Sequence, residues 1–164
     1  MKMRFNNRMI TLILGALVVL LSAIVVLSVQ GPINTLNEIK EREKAVISKM
    51  NVIRNAELRY RQVNGDYCGS IDSLAMAGFI EDSVKYIPFS NGVKFTIKKK
   101  TVEINSKGDL NSFMECYALY DDYLRGLDED VISDAKQQAA KKGDFPGLRF
   151  GNIEQSGDNI GNWE

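Results

Sequence analysis

The chain of 164 residues contains no histidine. Histidine-based catalytic triads, HExxH zinc sites and imidazole pH switches are therefore excluded. Two cysteines cannot make a four-thiolate zinc site or a dense disulfide scaffold. Glycine-rich phosphate loops, paired-carboxylate motifs and metal-ligand spacings are absent too. Charge is missing from one long stretch, since nothing ionisable lies between Arg8 and Glu38. That gap argues against a wholly soluble protein.

What charge there is balances, with 21 basic and 21 acidic side chains, but it is unevenly placed. Residues 1–8 carry +3 through Lys2, Arg4 and Arg8, and residues 33–63 again carry a net +3. Residues 64–164 carry a net −6. Within the uncharged gap, Met9 to Val29 is a run of 21 residues whose polar members are Thr11, Ser22 and Ser28. As a helix it spans about 31 Å, close to one hydrocarbon core. A cleavable signal peptide has a shorter apolar stretch of about 7–15 residues followed by a small-x-small site. Here Ser28-Val29-Gln30-Gly31-Pro32 follows, a poor cleavage site, and no cysteine is placed for a lipid anchor. The run is read as a retained signal anchor. Lys2, Arg4 and Arg8 lie directly against it, undiluted by acids, and basic flanks stay cytoplasmic. The basic residues beyond it, from Lys40 on, are interleaved with Glu38, Glu41 and Glu43. The expected topology puts the N-terminus in the cytoplasm and residues 30–164 outside.

Gly31-Pro32 predicts a kink or a break. Helical patterning follows from Ile33 to Val63. Ile39, Val46, Ile53 and Tyr60 recur every seven residues with Met50 between them, one stripe on one face. Glu38–Arg42 and Glu57–Arg61 read as favourable i,i+4 pairs on an exposed face. The stripe suits a helix with one side laid on a sheet. A coiled-coil seam is the alternative, although Glu43 and Glu57 spoil alternate seam positions. Asn64-Gly65-Asp66 ends the helix with turn residues. Ser70 caps a short helix holding Leu74 and Met76, stopped by Gly78.

Strand patterns come next: Val84, Tyr86 and Phe89; Val93, Phe95 and Ile97; Val102 and Ile104; and Phe113–Tyr120. Lys98-Lys99-Lys100 reads as the hairpin connection between the second and third. Asp128 is placed as the N-cap of a helix to Lys142, with Gly143 after its end. Asp144 to Glu164, with the only Trp, lack periodicity and read as a tail. The fold class is α+β: an N-terminal transmembrane helix continues into an amphipathic stalk helix packed on a small antiparallel sheet. A C-terminal helix and an irregular tail complete it. The segments are a cytoplasmic basic tip (1–8), the anchor (9–29), linker and stalk (30–63) and an extracytoplasmic head (64–164).

Two stretches carry a family likeness. Met9-Ile10-Thr11-Leu12-Ile13-Leu14 resembles a degraded pilin N-terminus, in which Thr-Leu-Ile follows the cleavage site. Ala56-Glu57-Leu58-Arg59-Tyr60, then Asn64-Gly65-Asp66-Tyr67, Leu74 and Gly78-Phe79-Ile80, resemble the end of a pilin stalk helix and its following loop. Together they are similar to type IV pilins and the pseudopilins of type II secretion over residues 9 to 80. Met9 or Arg8 stands where pilin processing needs glycine. Leu14 stands where pilins carry the glutamate that pairs with a neighbouring subunit's amino terminus. What the resemblance implies is the shape of the molecule and a place in a bacterial inner membrane.

Candidate sites have plain readings beside them. Outside the cytoplasm, Cys68 and Cys116 can form one disulfide, worth about 4 kcal/mol on the chain-entropy view. The alternative is two buried small hydrophobes. The acids Asp121, Asp122, Asp128, Glu129, Asp130 and Asp134 suggest calcium but miss the EF-hand spacing, and helix capping accounts for them. Lys98–Lys100 can meet anions or lipid headgroups, or simply form a polar hairpin tip. Tyr117, Tyr120 and Tyr123 can line one helical face, or divide between core and surface. No base, nucleophile, metal or cofactor site is legible, so the expectation is a non-enzymatic, pilin-like structural or assembly protein of the cell envelope. A monomeric membrane-anchored ligand- or protein-binding module facing the periplasm is the alternative. Expected partners are the membrane, through one span, and other envelope proteins. The acidic outer part argues against nucleic acid. The span lacks a small-xxx-small row, and the stalk stripe is assigned to the protein's own sheet, so self-association is expected to be weak.

Overall fold

The computed structural model describes residues 7–103, 110–154 and 159–164. It is α+β, with a 58-residue helix α1 (Asn7–Asn64) and a three-stranded antiparallel sheet. The chain divides into two compact units, Met1–Ile39 and Lys40–Glu164.

In the first unit, α1 is the described element. Its segment Arg8–Val25 has a mean hydropathy of 2.5 and none of it is buried. One helix is thus long and apolar enough to cross a membrane. The expected break at Gly31-Pro32 does not occur, because the helical backbone continues through it. Proline removes one N–H, and the hydrogen bonds on either side hold the helix.

The second unit starts with Lys40–Asn64 of α1. Val46, Met50, Ile53 and Ala56 are completely buried there, while Tyr60 is half-buried with its ring edge-on to Phe79 at 5.2 Å. Ile39, in the first unit, is also half-buried. Helix α2 (Ile71–Met76) begins as expected, with Ser70 Oγ accepting the Ser73 N–H at 3.3 Å. It buries Ile71 and Leu74 but leaves Met76 exposed.

The sheet differs from the four strands expected. Val84 lies in a 3-10 turn (Asp82–Lys85), Tyr86 makes a single bridge to Lys94, and Phe89 stands in a turn at φ 63°. Pro88 has no N–H to give a ladder, and Ser90 Oγ closes the turn onto Ile87 O at 2.7 Å. Strand β1 runs Thr96–Glu103, so the three lysines lie inside it and not at a hairpin tip. They alternate faces like any strand residues. The connection after β1, with Ile104, lies outside the described residues. Strand β2 (Leu110–Leu119) corresponds to the expected strand at Phe113–Tyr120 and extends it N-terminally. It pairs with β1 in the register Ile97↔Cys116.

Beyond β2, the short helix α3 (Tyr120–Tyr123) leads to α4 (Glu129–Lys142). Asp128 precedes α4 but its side chain makes no capping hydrogen bond. The other end is as expected: Gly143 takes φ 72°, and Asp144 N–H returns to Ala139 O at 2.9 Å. The tail is not wholly irregular. Gly147–Gly151 forms β3, antiparallel to β2 with Cys116↔Phe150, giving the order β1-β2-β3. Glycine is required at 151, where φ is 73° and a Cβ would lie 2.2 Å from Met114 O. Met114, Cys116, Ala118, Leu148 and Phe150 complete the core under the α1 stripe.

Candidate functional site

On the inner face of the sheet, the stripe of α1 carries one charged residue into the core. Glu57 is 1% exposed. Its Oε2 accepts the Cys68 N–H at 2.8 Å, and its Oε1 has no partner among the described residues. The turn that ends α1 thus folds back and hands an amide to a carboxylate one face-width up the helix. Burial pushes the Glu57 carboxyl up, opposed by the Cys68 and Gly69 amides and then by Lys99. Lys99 itself donates to Asp66 at 3.0 Å and to Tyr67 O at 3.1 Å, tying β1 to the same turn. The reading of Glu57 as an exposed partner of Arg61 is therefore corrected. Arg61 instead donates to the Tyr67 hydroxyl at 3.0 Å and lies over that ring.

Cys68 and Cys116 are both influenced by Glu57, one on the turn and one on β2. Both are free thiols here, Cys68 half-buried and Cys116 fully buried. Burial raises both pKa values, and the Glu57 charge adds to it. Neither thiol is poised as a thiolate nucleophile.

The tyrosines divide between surface and core. Tyr117 lies on β2, and Tyr120 and Tyr123 on α3, with Tyr123 fully buried. The Tyr123 hydroxyl has no partner among the described residues and lies beside Glu43. Burial, then the Glu43 carboxyl, pushes the phenol far up, and burial raises Glu43 in turn. Arg42 donates to the carbonyls of Tyr123 at 3.2 Å and Arg125 at 2.8 Å, holding α3 to the helix.

The outer face of the sheet is polar and aromatic. Glu115, 6% exposed, lies between Lys98 at 3.5 Å and Arg149 at 4.0 Å. Lys98 covers the Tyr117 ring, Arg149 covers Phe145, and those two rings meet edge-on at 5.4 Å. This array satisfies its own charges. Among the acids, Asp121 pairs with Lys136 at 2.8 Å and Asp122 accepts the Leu119 N–H at 3.3 Å. An open groove of about 810 Å³ lies there, lined by Asp121, Ile132, Lys136, Ala140 and Pro146 among others. Among the described residues, no three His, Cys, Asp or Glu side chains are placed to hold a metal ion.

The last residues form a second arrangement that periodicity did not disclose. They lie along the outer edge of β3, and Arg54 on α1 holds them through Asn159 O and Glu164 Oε1. The signals in the sequence were the spaced glycines at 147, 151 and 161 and the lone Trp163. Comparison with protein-family models, with curated proteins and with solved structures gives no match.

Proposed function

We propose that this chain is a membrane-anchored, non-enzymatic, pilin-like structural or assembly protein of the bacterial cell envelope. Met9–Val29 is its single span in the inner membrane, with the N-terminus cytoplasmic and the α+β part outside. One observation carries the reading. An apolar, wholly exposed helical segment belongs to the same helix whose later stripe, Val46, Met50 and Ile53, is buried under a three-stranded antiparallel sheet. A helix exposing leucine and valine all round is at home in lipid, and one with a single apolar stripe is at home on a sheet. The basic tip of Lys2, Arg4 and Arg8 supports the orientation. The non-enzymatic part is supported by two raised-pKa thiols and the lack of histidine, which leave no evident nucleophile–base pair.

Protease added to spheroplasts tests this reading. The part beyond residue 30 should be digested while a tag at residue 1 stays protected. Protection of both ends would place the protein elsewhere. A monomeric anchored binding module is the second reading, favoured because the α1 stripe is consumed within one chain and offers no seam. Crosslinking in membranes separates the two: hetero-adducts with other envelope proteins support assembly, and a lone monomer supports the module.

A further inference from the structure

The outward-facing residues of the sheet are charged mainly in one sense. By the register, β1 contributes Lys98 and Lys100 to this face, β2 contributes Phe113, Glu115 and Tyr117, and β3 contributes Arg149. Three cations stand against one carboxylate, a net +2, on a part of the chain (64–164) that carries −6. The acid lies beneath and the cations above. The Glu115 side chain is 8% exposed, against 51% for Lys98 and 34% for Arg149. Lys98 and Arg149 both have Glu115 as ion-pair partner, but that one carboxylate is shared between them. Its distances of 3.5 Å and 4.0 Å are longer than an ordinary N–H···O hydrogen bond. Lys100 is exposed and has no ion pair among the described residues. Two rings hold the cations in place: Lys98 Nζ stands 5.0 Å from the centre of Tyr117, and the Arg149 guanidinium 4.9 Å from that of Phe145.

We propose that this face docks an extended acidic segment of another protein, with carboxylates set against Arg149, Lys98 and Lys100. Charge complementarity calls for an anion. The Tyr117 and Phe145 rings, which could stack with a base or a sugar, are already capped by Lys98 and Arg149, so charge and not a π face is presented. Lys98 and Lys100 lie two residues apart on one strand, about 6.8 Å, and an extended segment repeats its own same-side residues at that spacing. Arg149 offers the fork that grips a carboxylate through two N–H groups. Gly151 N–H already donates to Ile160 O and Asn162 N–H to Arg149 O, so the β3 edge is paired. The segment is therefore held by its side chains and not as an added strand. The inference deepens the proposed assembly role by stating the chemistry of the partner. It rests on that reading only for the partner's place in the envelope.

The test uses the full chain in detergent and a fluorescent peptide of alternating Glu and Thr as the probe. The peptide should bind, and binding should weaken as salt is raised. A peptide of the same composition with its Glu residues in one block should bind more weakly, and alternating Gln and Thr should not bind. Lys98→Gln and Lys100→Gln should each weaken binding about fivefold. Arg149→Lys should weaken it with no change in net charge, because lysine lacks the fork. Lys44→Gln removes the same charge from α1, across the sheet, and should leave binding as it was. Lys100 has no ion pair to lose, so its variant keeps the fold and decides the matter if another does not. A Lys100→Gln chain that binds like the native one overturns the proposal. So does equal binding of the alternating and blocked peptides, or an equal loss in Lys44→Gln, since net charge alone then attracts the probe. Oligothymidylate binding more tightly than the peptide overturns the acidic protein as occupant in favour of nucleic acid. Failure of the protease-topology experiment leaves these outcomes unaltered, and failure of peptide binding leaves the topology standing.

Discussion

The fate of the α1 stripe is decided by substitution at Ile53. Its side chain is completely buried within one chain, flanked by Val46, Met50 and Ala56, which are buried as fully. Ile53→Val should cost about 0.5–1.5 kcal/mol and Ile53→Ala about 2–5 kcal/mol, the larger figure including the cavity left behind. Ile53→Asp is more severe. It places a second carboxyl four residues from Glu57, on the same buried face, where Oε1 already lacks a partner. An unpaired buried charge costs several kcal/mol beyond the lost packing, against a total stability of about 5–15 kcal/mol. The expected result is unfolding of the Lys40–Glu164 unit. Guanidinium titration in detergent, followed by near-ultraviolet signal from Trp163 and the tyrosines, reads the whole series. If Ile53→Asp keeps a native near-ultraviolet signal and only dissociates oligomers, the stripe is an intermolecular seam and the intramolecular account is wrong.

Two further outcomes follow from the inner face. Burial raises the Glu57 carboxyl above its ordinary 4.5, so the stabilising contribution of its neutral form is fully present below that pH. This contribution is lost as pH rises through the folded value. Glu57→Gln should therefore flatten the decline in stability as pH rises above 4.5, with a residual slope of the same sign from Glu43. Urea midpoints at several pH values measure it, and an unchanged slope would show that the carboxyl is ionised throughout. The cysteines should differ in reactivity. Alkylation at pH 8 should modify half-buried Cys68 well before fully buried Cys116, which should react only on unfolding. Equal rates, or a Cys68–Cys116 peptide in unreduced digests, would contradict the free, unequally buried thiols.

Much of the architecture was legible because it rests on periodicity. The apolar run, the seven-residue stripe, the Ser70–Gly78 helix and the helix ending at Gly143 each have local signals that packing left in place. Other features failed for identifiable physical reasons. Lys98-Lys99-Lys100 looked like a connection because composition outweighed alternation, yet Lys98 and Lys99 each find acids on opposite faces of the sheet. The segment at 84–89 has strand-like residues but divides them among a 3-10 turn that ends at Lys85, a single bridge at Tyr86 and a turn at Phe89. Glu57 was misplaced because an i,i+4 arginine suggested a solvated pair. Its real partner, an amide of the turn at 68, is brought by the chain reversal and has no helical spacing to announce it. Strand β3 is bounded by glycines that reduce strand propensity, and only its pairing with β2 makes it regular.

These features bear on the proposal that copies of this chain associate weakly. The inward face of α1 is spent on the sheet. Its outward line at Glu41, Ser48, Asn55 and Gln62 is exposed and has no apolar residue to act as a seam. Exposed Val52, Leu58 and Val63 are scattered around it and do not form a stripe. The β1 edge is guarded by lysines, and on the outer sheet face Lys98 and Arg149 pair with Glu115. For the proposed span, packing without a small-residue row or a polar anchor gives little drive for association. The β3 edge is closed by backbone pairing of residues 160–162 with Arg149 and Gly151 and by Trp163 against buried Phe150. The described edges of the sheet are therefore closed, β1 by charge and β3 by pairing, which is what a sheet meant to resist strand addition requires.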